Sequence, residues 1–286
     1  MQDGSWSRRS ALALGGAGWL AAATGASAHD GRPGHSHQAG GPLRFASPLA
    51  QMLAVIRVTG DLAGTATPWW YTGYIYGMRP GEEPRKLVRF EGCEIYRFFR
   101  QAEGRFLQRA RTTTFFHDLA SGKVLERWTN PYTGATVDVG TNLLGDGGRM
   151  VWEDGRLEPQ FRTPDGRALP SGGPQPLSVS WTPYGDRVWM RHDRVYPPGL
   201  PQPIGESSAM LVQRADLDNG KLTAVPALFS STYIARWLGW MGMKDQPGHT
   251  IWHADGVKLR DVEALPEEYL ERVRRLHPRQ LAVTLD

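Results

Sequence analysis

Alternation of apolar and polar positions runs through the chain from about residue 68, and it predicts antiparallel strands. The first run, residues 68–76, is dense in aromatic residues, and two further runs follow at 86–99 and 104–117. Aromatic and β-branched residues favour pleated surfaces, and short turns rich in Gly, Pro, Asn and Asp separate the runs. No helical periodicity interrupts them, so the pattern predicts an antiparallel meander that closes into a barrel or a sandwich.

The second half of the chain continues the same pattern. The further predicted strands are 123–128, 135–139, 177–182, 186–196, two runs within 208–234, and 249–258. Residues 154–176 are rich in Pro and Gly and predict a long loop. Residues 49–58 fit either a short helix or a buried strand, and residues 232–243 fit either a short helix or an aromatic-rich lip.

One helix is predicted with clear boundaries, near the carboxyl end of the chain. Pro266 lies in its first turn, two glutamates lie near its positive end, and it stops at about Leu276, before Pro278. The predicted fold class is therefore mainly β, an antiparallel barrel or barrel-like sheet with a C-terminal helix.

The amino-terminal residues have the three parts of an export signal. Arg8 and Arg9 are adjacent, as in the twin-arginine pattern, and residues 11–24 form an apolar stretch. Ala26-Ser27-Ala28 supplies a small-residue cleavage site. The apolar stretch is shorter than the roughly 20 residues that span a bilayer, so no stable membrane span is expected. We expect the twin-arginine translocase to export the folded chain through residues 1–28, which makes the mature protein periplasmic or secreted.

Composition sets further limits. Residues 29–48 are rich in Gly, Pro and His and predict a flexible leader, which leaves residues 49–286 as a single β-rich domain. Cys93 is the only cysteine, so no intramolecular disulfide can form in an oxidising compartment. The formal net charge of +4 is spread without a basic run, so no nucleic-acid partner is expected.

The most specific motif lies between His117 and Val139. It reads D-x-x-S-G-x-x-L-x-x-W-T-N-P-Y-T-G and begins at Asp118. This segment resembles the family called domain of unknown function 1838, and Trp69-Trp70, residues 89–92 and residues 248–253 fit that family as well. The resemblance covers most of residues 49–280 and implies no chemistry. Members of the family often look exported and resemble small-molecule barrels of the lipocalin type, which is an analogy of fold only.

The W-T-N-P-Y-T-G segment has two compatible interpretations. As a β-turn, Asn130 caps the turn, Pro131 fixes φ, and Trp128 belongs to the core. As part of a site, Trp128, Asn130 and Tyr132 offer an aromatic wall, an amide and a phenol to a ligand at the mouth of a barrel.

The chain contains 11 tryptophans, more than an ordinary core requires, because a buried indole needs a partner for its N–H. A cavity for a small apolar or aromatic molecule would use them, although core packing is the alternative for each one. The candidate ligand-binding residues are Trp70, Tyr74, Trp128, Asn130, Trp237 and Trp240.

The candidate catalytic residues are His253, Tyr132 and Arg111. His253 or Tyr132 would move a proton, and Arg111 would hold a negative oxygen. His249 lies four residues from His253, which in a strand separates the two by roughly 13 Å, too far to share one metal ion. Glu91 and Glu94 are three apart, so they fall on opposite faces of a strand and do not form a paired acid and base.

The sequence lacks the motifs that mark hydrolases, zinc proteases, nucleotide-binding proteins and c-type haem proteins. G-x-S-x-G, H-E-x-x-H, G-x-G-x-x-G, P-loop and C-x-x-C-H motifs are absent from the sequence. Cleavage after Ala28 would leave His29 at the amino terminus, where its amine and imidazole could chelate copper, but the leader provides no fixed platform. No cofactor and no metal site are therefore expected.

Two functions remain open from the sequence. The first is a cofactor-independent lyase or isomerase, and the second is a non-catalytic periplasmic binding or carrier protein. A buried cluster of His, Arg and Tyr inside the cavity would favour catalysis, whereas an entirely apolar lining would contradict it.

Overall fold

Antiparallel strand pairing organises most of the chain. The computed structural model of the protein describes residues 43–102, 104–152, 154–160, 174–195 and 205–285. The strands in these ranges are β1 (Thr67–Met78), β2 (Arg85–Arg100), β3 (Arg105–His117), β4 (Arg127–Thr129), β5 (Thr136–Asp138), β6 (Asn142–Trp152), β7 (Arg156–Gln160), β8 (Gln175–Pro176), β9 (Ser180–Tyr184), β10 (Arg187–Val195), β11 (Gly205–Gln213), β12 (Leu228–Ala235) and β13 (His249–Lys258). The α-helices are α1 (Pro48–Thr59), α2 (Arg214–Asp218) and α3 (Glu267–Leu276), and single 3-10 turns cover Gly239–Met241, Val262–Ala264 and Pro278–Leu281.

Eleven strands form one sheet in the order β8-β7-β6-β3-β2-β1-β13-β12-β11-β10-β9, while β4 and β5 pair with each other. The two edge strands are neighbours in the chain, because β8 ends at Pro176 and β9 begins at Ser180. An extended chain covers about 3.6 Å per residue, so these two strand ends lie within roughly 15 Å of each other. The sheet therefore curls until its edges approach. The predicted mainly β, barrel-like fold is confirmed, with an unpaired seam between β8 and β9 in place of full closure.

The structure corrects one prediction for the middle of the chain. The loop predicted over 154–176 contains β7 and β8, and residues 161–173 lie outside the described residues. β6 occupies a segment for which the sequence pattern gives no prediction. It pairs with β3, with an irregularity in the register between Ala110 and Thr112.

The two undecided segments are also settled. Residues 49–58 belong to α1, whose first turn is capped by Ser47 Oγ accepting from the Ala50 N–H at 3.1 Å, with Pro48 in the first helical position. Residues 232–243 continue β12 to Ala235 and then form a loop with one 3-10 turn. The strand predicted over 123–128 is shorter in the structure, where β4 begins at Arg127.

α1 closes one end of the curled sheet. Its buried residues pack on inward-facing side chains of β1, β10 and β11 on one side, and of β2, β3 and β6 on the other. The inward-facing Lys258 Nζ donates to three carbonyl oxygens at the end of α1, those of Arg57 (2.7 Å), Val58 (3.1 Å) and Gly60 (2.6 Å). Trp69 Nε1 donates to the carbonyl of Thr59 at 2.8 Å. These bonds satisfy carbonyls that have no partner within a helix.

The opposite end of the sheet is closed by the β4–β5 hairpin and the loop after β12. Trp128 from the hairpin and Trp237, Leu238 and Met241 from the loop pack on inward-facing residues of β1, β2, β3 and β13. We call this group the aromatic end cluster.

α3 packs on the outer face of β2 and β3. Tyr269, Leu270 and Val273 contact Cys93 and Phe115, and the Tyr269 hydroxyl donates to the Thr113 carbonyl at 2.7 Å. This is the predicted C-terminal helix. Within the described ranges, no helix has the length and apolar character needed to cross a membrane.

Replacing Lys258 by Met is expected to destabilise the fold by about 3 kcal/mol, because the carbonyls at the end of α1 lose a charged donor in a buried setting. Burial lowers the pKa of Lys258 to about 7, so urea unfolding is measured at pH 6, where the ammonium form predominates. Lys221→Met, at an exposed position, is the matched control. A Lys258→Met protein as stable as this control would contradict the role assigned to the helix end.

Candidate functional site

Between α1 and the aromatic end cluster, the interior of the curled sheet is polar. Inward-facing side chains line a partly open cavity of about 40 Å³, which is room for about three water molecules. The lining residues are Trp69, Tyr71, Glu94, Tyr96, Glu206, Ser208, Met210, Phe229, Ser231 and Tyr233. We call this space the polar cavity.

The polar residues reach the cavity from separate walls. Glu94 and Tyr96 project from β2, and Glu206 and Ser208 project from β11, each pair two residues apart and hence on one face of its strand. Three strands, β1, β13 and β12, lie between β2 and β11 in the sheet order. The curl of the sheet therefore brings two carboxyl groups from distant strands to one cavity.

Glu94 is a half-buried carboxyl group whose remaining accessible surface lines the cavity. Burial raises its pKa, and the charge of Glu206 raises it further. Hydrogen bonds from Tyr96 and Thr112 and the charge of Arg149 act in the opposite direction but do not offset the increase. The Glu94 carboxyl group thus keeps its proton to a higher pH than an exposed glutamate.

The opposite wall combines a second carboxyl group with hydroxyl groups. The Tyr233 hydroxyl donates to Glu206 Oε1 at 3.1 Å. Ser231 is 4 % exposed, and its Oγ has no hydrogen-bond partner among the described residues. A buried hydroxyl of this kind is available to a ligand.

Two further groups complete the surroundings of the cavity. The Tyr71 hydroxyl lies 2.9 Å from Thr114 Oγ1, and burial raises the pKa of Tyr71. His192 faces inward on β10, opposite Ser208 in the register. Burial, and then the charge of Arg149, lowers the pKa of His192 to about 4, so the imidazole is neutral at pH 7.

Five of the residues singled out from the sequence meet in the aromatic end cluster. The rings of Trp128 and Trp240 lie 5.4 Å apart between centroids, and those of Tyr132 and Trp237 lie 5.6 Å apart. Asn130 is fully buried, and its amide donates to the Met241 carbonyl at 2.7 Å and accepts from the Tyr132 N–H at 2.8 Å. These side chains fill the end of the sheet, and none of them lines the polar cavity.

The other sequence candidates lie on the outer face. Trp70 packs with the residues beneath α3. Tyr74 and His253 are direct partners in the register, and the His253 side chain is 52 % exposed, with Nδ1 3.3 Å from Thr232 Oγ1. Arg111 donates to the Arg279 carbonyl. The predicted catalytic residues His253, Tyr132 and Arg111 therefore occupy three separate places.

Glu94 is the residue that sequence reasoning passed over. The expectation that Glu91 and Glu94 face opposite sides of one strand holds, since Glu94 points into the cavity and Glu91 points outward. The available signal was the alternation itself, because Glu94 shares its face with Phe90 and Phe98, both buried. A carboxylate in register with buried aromatic residues is the pattern that would have identified it.

Glu91 takes part in a separate ionic cluster under α3. Its Oε1 lies 3.1 Å from His117 Nε2 and 3.2 Å from an Arg272 nitrogen. Burial alone would raise the pKa of Glu91, but the hydrogen bond and charge of His117 and the charge of Arg272 hold it below its ordinary value. His117 Nδ1 also lies 2.9 Å from the Gly122 carbonyl. This cluster fixes α3 to the sheet.

Other features offer less for ligand binding. Within the part of the chain that the structure describes, no group of three or more His, Cys, Asp or Glu side chains could hold a metal ion. His29 lies outside the described residues. A surface depression of about 360 Å³ lies along α3, but its lining residues all belong to that helix, so it has no second wall.

Comparison with known proteins identifies a family of unknown function. The family profile described as "Protein of unknown function (DUF1838)" matches residues 64–142 and 201–282, more than half of the chain. No curated protein matches. The solved structure of Rv2717c from M. tuberculosis aligns at 13 % sequence identity over 67 % of this chain and 91 % of that chain, with a TM-score of 0.23. So low a TM-score adds nothing on fold or function.

Replacing Glu206 by Gln is expected to lower the pKa of Glu94, because the Glu206 charge is one of the causes that raise it. The measurement is a pH titration of the glutamate side-chain carboxyl signals by carbon NMR, with the Glu94 signal assigned by its loss in Glu94→Gln. Glu91→Gln, on the outer face of the same strand, should leave the Glu94 titration unchanged. Identical Glu94 titrations in the wild type and Glu206→Gln would contradict the shared cavity.

Proposed function

The chain belongs to the DUF1838 family, described as proteins of unknown function, and we propose that it is a cofactor-independent acid–base enzyme acting on a small molecule in the polar cavity. A drug-sized ligand needs roughly 300 Å³ or more. The polar cavity measures about 40 Å³, which favours a substrate far smaller than the aromatic ligand expected from the sequence.

The observation that carries the proposal is the raised pKa of Glu94 inside the curled sheet. Burying a carboxyl group costs free energy unless it is paired, so an aliphatic residue would give a more stable interior. A carboxyl group whose pKa is raised keeps its proton to a higher pH and can donate it to a ligand oxygen. Titratable groups with shifted pKa values that share one cavity are more common at functional sites than elsewhere.

The rest of the cavity supports this chemistry. Hydroxyl groups of Tyr96 and Ser231 are placed to orient a ligand, and Trp69 and Phe229 supply apolar walls. A cavity with few water molecules strengthens each electrostatic interaction within it. Glu94 is thus assigned as the proton donor, with the remaining groups binding and orienting the substrate.

Exchange of carbon-bound hydrogen tests this function without knowledge of the natural substrate. Hydroxyacetone is incubated with the protein in D2O, and loss of the CH2 signal is followed by proton NMR. We expect the wild type to accelerate exchange, and Glu94→Gln to lose at least 10²-fold of the acceleration, roughly the contribution of a general acid. Glu91→Gln should retain it. Exchange by the wild type no faster than in buffer would contradict the proposed function.

A non-catalytic carrier is the second candidate, favoured by the closure of both ends of the sheet by packed side chains. Native mass spectrometry of protein purified from its own periplasm separates the two. A carrier would retain one co-purifying compound in the wild type and in Glu94→Gln alike. An enzyme would show turnover that Glu94→Gln removes.

We also propose that the protein acts outside the cytoplasm, after cleavage behind Ala28. Changing Arg8 and Arg9 together to Lys should stop export, because the twin-arginine pattern is lost. Cell fractionation should then find the chain in the cytoplasm with residues 1–28 attached, whereas the wild type and Arg44→Lys should start at His29. Export of the doubly changed chain would contradict the proposed route.

A further inference from the structure

We propose that Glu206 is the base that acts together with the acid Glu94, and that the substrate is a small, neutral α-hydroxy carbonyl compound that the enzyme isomerises. This inference rests on the proposed function. It adds a second catalytic group, a positioning residue and a substrate class.

The arrangement of the walls supports two carboxyl groups with different roles. Glu94 and Glu206 line the same cavity from β2 and β11. Glu94 is held by Tyr96 and Thr112 on its own side of the sheet, whereas Glu206 accepts a hydrogen bond from Tyr233. Two carboxyl groups in one cavity with different surroundings divide into an acid and a base.

The lining also defines the class of substrate. The negative charge of Glu206 disfavours a ligand group that carries its own negative charge beside it, since like charges in one site repel. Tyr96, Ser208 and Ser231 offer hydroxyl groups that match hydroxyl and carbonyl oxygens of a ligand. The small volume of the cavity favours a substrate with few carbon atoms, and a three-carbon hydroxyketone is the smallest ketone of this class.

The reaction needs no oxidant and no cofactor. The Glu206 carboxylate removes a proton from the hydroxyl-bearing carbon, and that C–H electron pair forms the C=C bond of an enediol. The carbonyl oxygen takes the proton of the Glu94 carboxyl group. Glu206 then returns its proton to the neighbouring carbon, and Glu94 takes the proton of the other hydroxyl, whose oxygen becomes the new carbonyl. Both side chains regain their starting states, and the carbonyl has moved by one carbon.

Tyr233 is a positioning residue in this scheme. Its hydroxyl donates to Glu206 Oε1 at 3.1 Å, which fixes the orientation of the carboxylate at the cavity wall. Tyr233 and Glu206 are also direct partners in the β11–β12 register, so the rigid sheet sets this hydrogen bond. Loss of the hydroxyl should loosen the orientation of Glu206 without removing the carboxylate.

The test follows hydroxyacetone in D2O by proton NMR, recording both exchange at its CH2 group and formation of lactaldehyde deuterated at C2. Glu206→Gln is expected to lower both rates by at least 100-fold. Tyr233→Phe is expected to lower kcat by about 10-fold with little change in KM, because Glu206 stays in the cavity but loses the hydrogen bond that orients it. Glu91→Gln and the exposed Tyr184→Phe are the matched controls, and a thermal unfolding scan confirms that each variant is folded.

The outcomes separate this inference from the proposed function. Exchange that depends on Glu94 but survives in Glu206→Gln overturns Glu206 as the base and leaves the proposed function in place. Exchange without lactaldehyde overturns the isomerase assignment. Exchange that is absent from the wild type overturns both. A kcat of Tyr233→Phe that matches the wild type overturns the positioning role, whereas the expected losses together support the full scheme.

Discussion

The width of the curled sheet is the constraint on which the rest of the structure depends. Side chains alone just fill a barrel of about eight strands, and the interior widens as strands are added. This sheet has eleven strands, and its wide interior holds aromatic rings beside aliphatic side chains. Inward-facing glycines make room for the rings. A Cβ at Gly256 would lie 2.2 Å from the Phe229 ring, and one at Gly73 would lie 2.8 Å from the Phe90 ring.

Packed side chains fill the two ends of the curled sheet, and a polar cavity lies between them. α1 closes one end only because its terminal carbonyls are satisfied, three of them by Lys258 from the interior of the sheet. The aromatic end cluster closes the other, with the buried Asn130 amide tying the hairpin to the loop after β12. Between the two closed ends, hydroxyl and carboxyl groups line the remaining space. The polar cavity is thus a consequence of how a wide sheet is closed.

Local pattern determined the class of the fold but not the contents of its interior. The alternation of apolar and polar residues identified β1, β2, β3, β10 and β13. The ends of α3 were also predictable, because proline and glutamate mark a helix start through contacts within the same helix. The tryptophans suggested a ligand cavity, yet Trp128, Trp237 and Trp240 pack together. Sequence could not show this, because the demand for large side chains comes from the number of strands. The approach of Glu94 on β2 to Glu206 on β11 is likewise non-local, so no residue spacing in the sequence predicts it.

Two glutamates on one strand show why the face of the sheet, more than residue type, decides the chemistry. Glu91 meets His117 and Arg272 on the outer face, and these contacts lower its pKa. Its ionised form therefore stabilises the folded protein at pH values above the unfolded pKa of about 4.3. This stabilisation is lost as the pH falls through the folded pKa. Glu94 faces inward, and its raised pKa has the opposite effect on stability. Its contribution to the stability of the fold is complete at pH values below the unfolded pKa of about 4.3, and it is lost as the pH rises through the folded pKa. At neutral pH, Glu91 therefore stabilises the protein while Glu94 weakens it. Folding therefore does not account for a carboxyl group at this position opposite a second one, whereas the proposed proton transfer requires it.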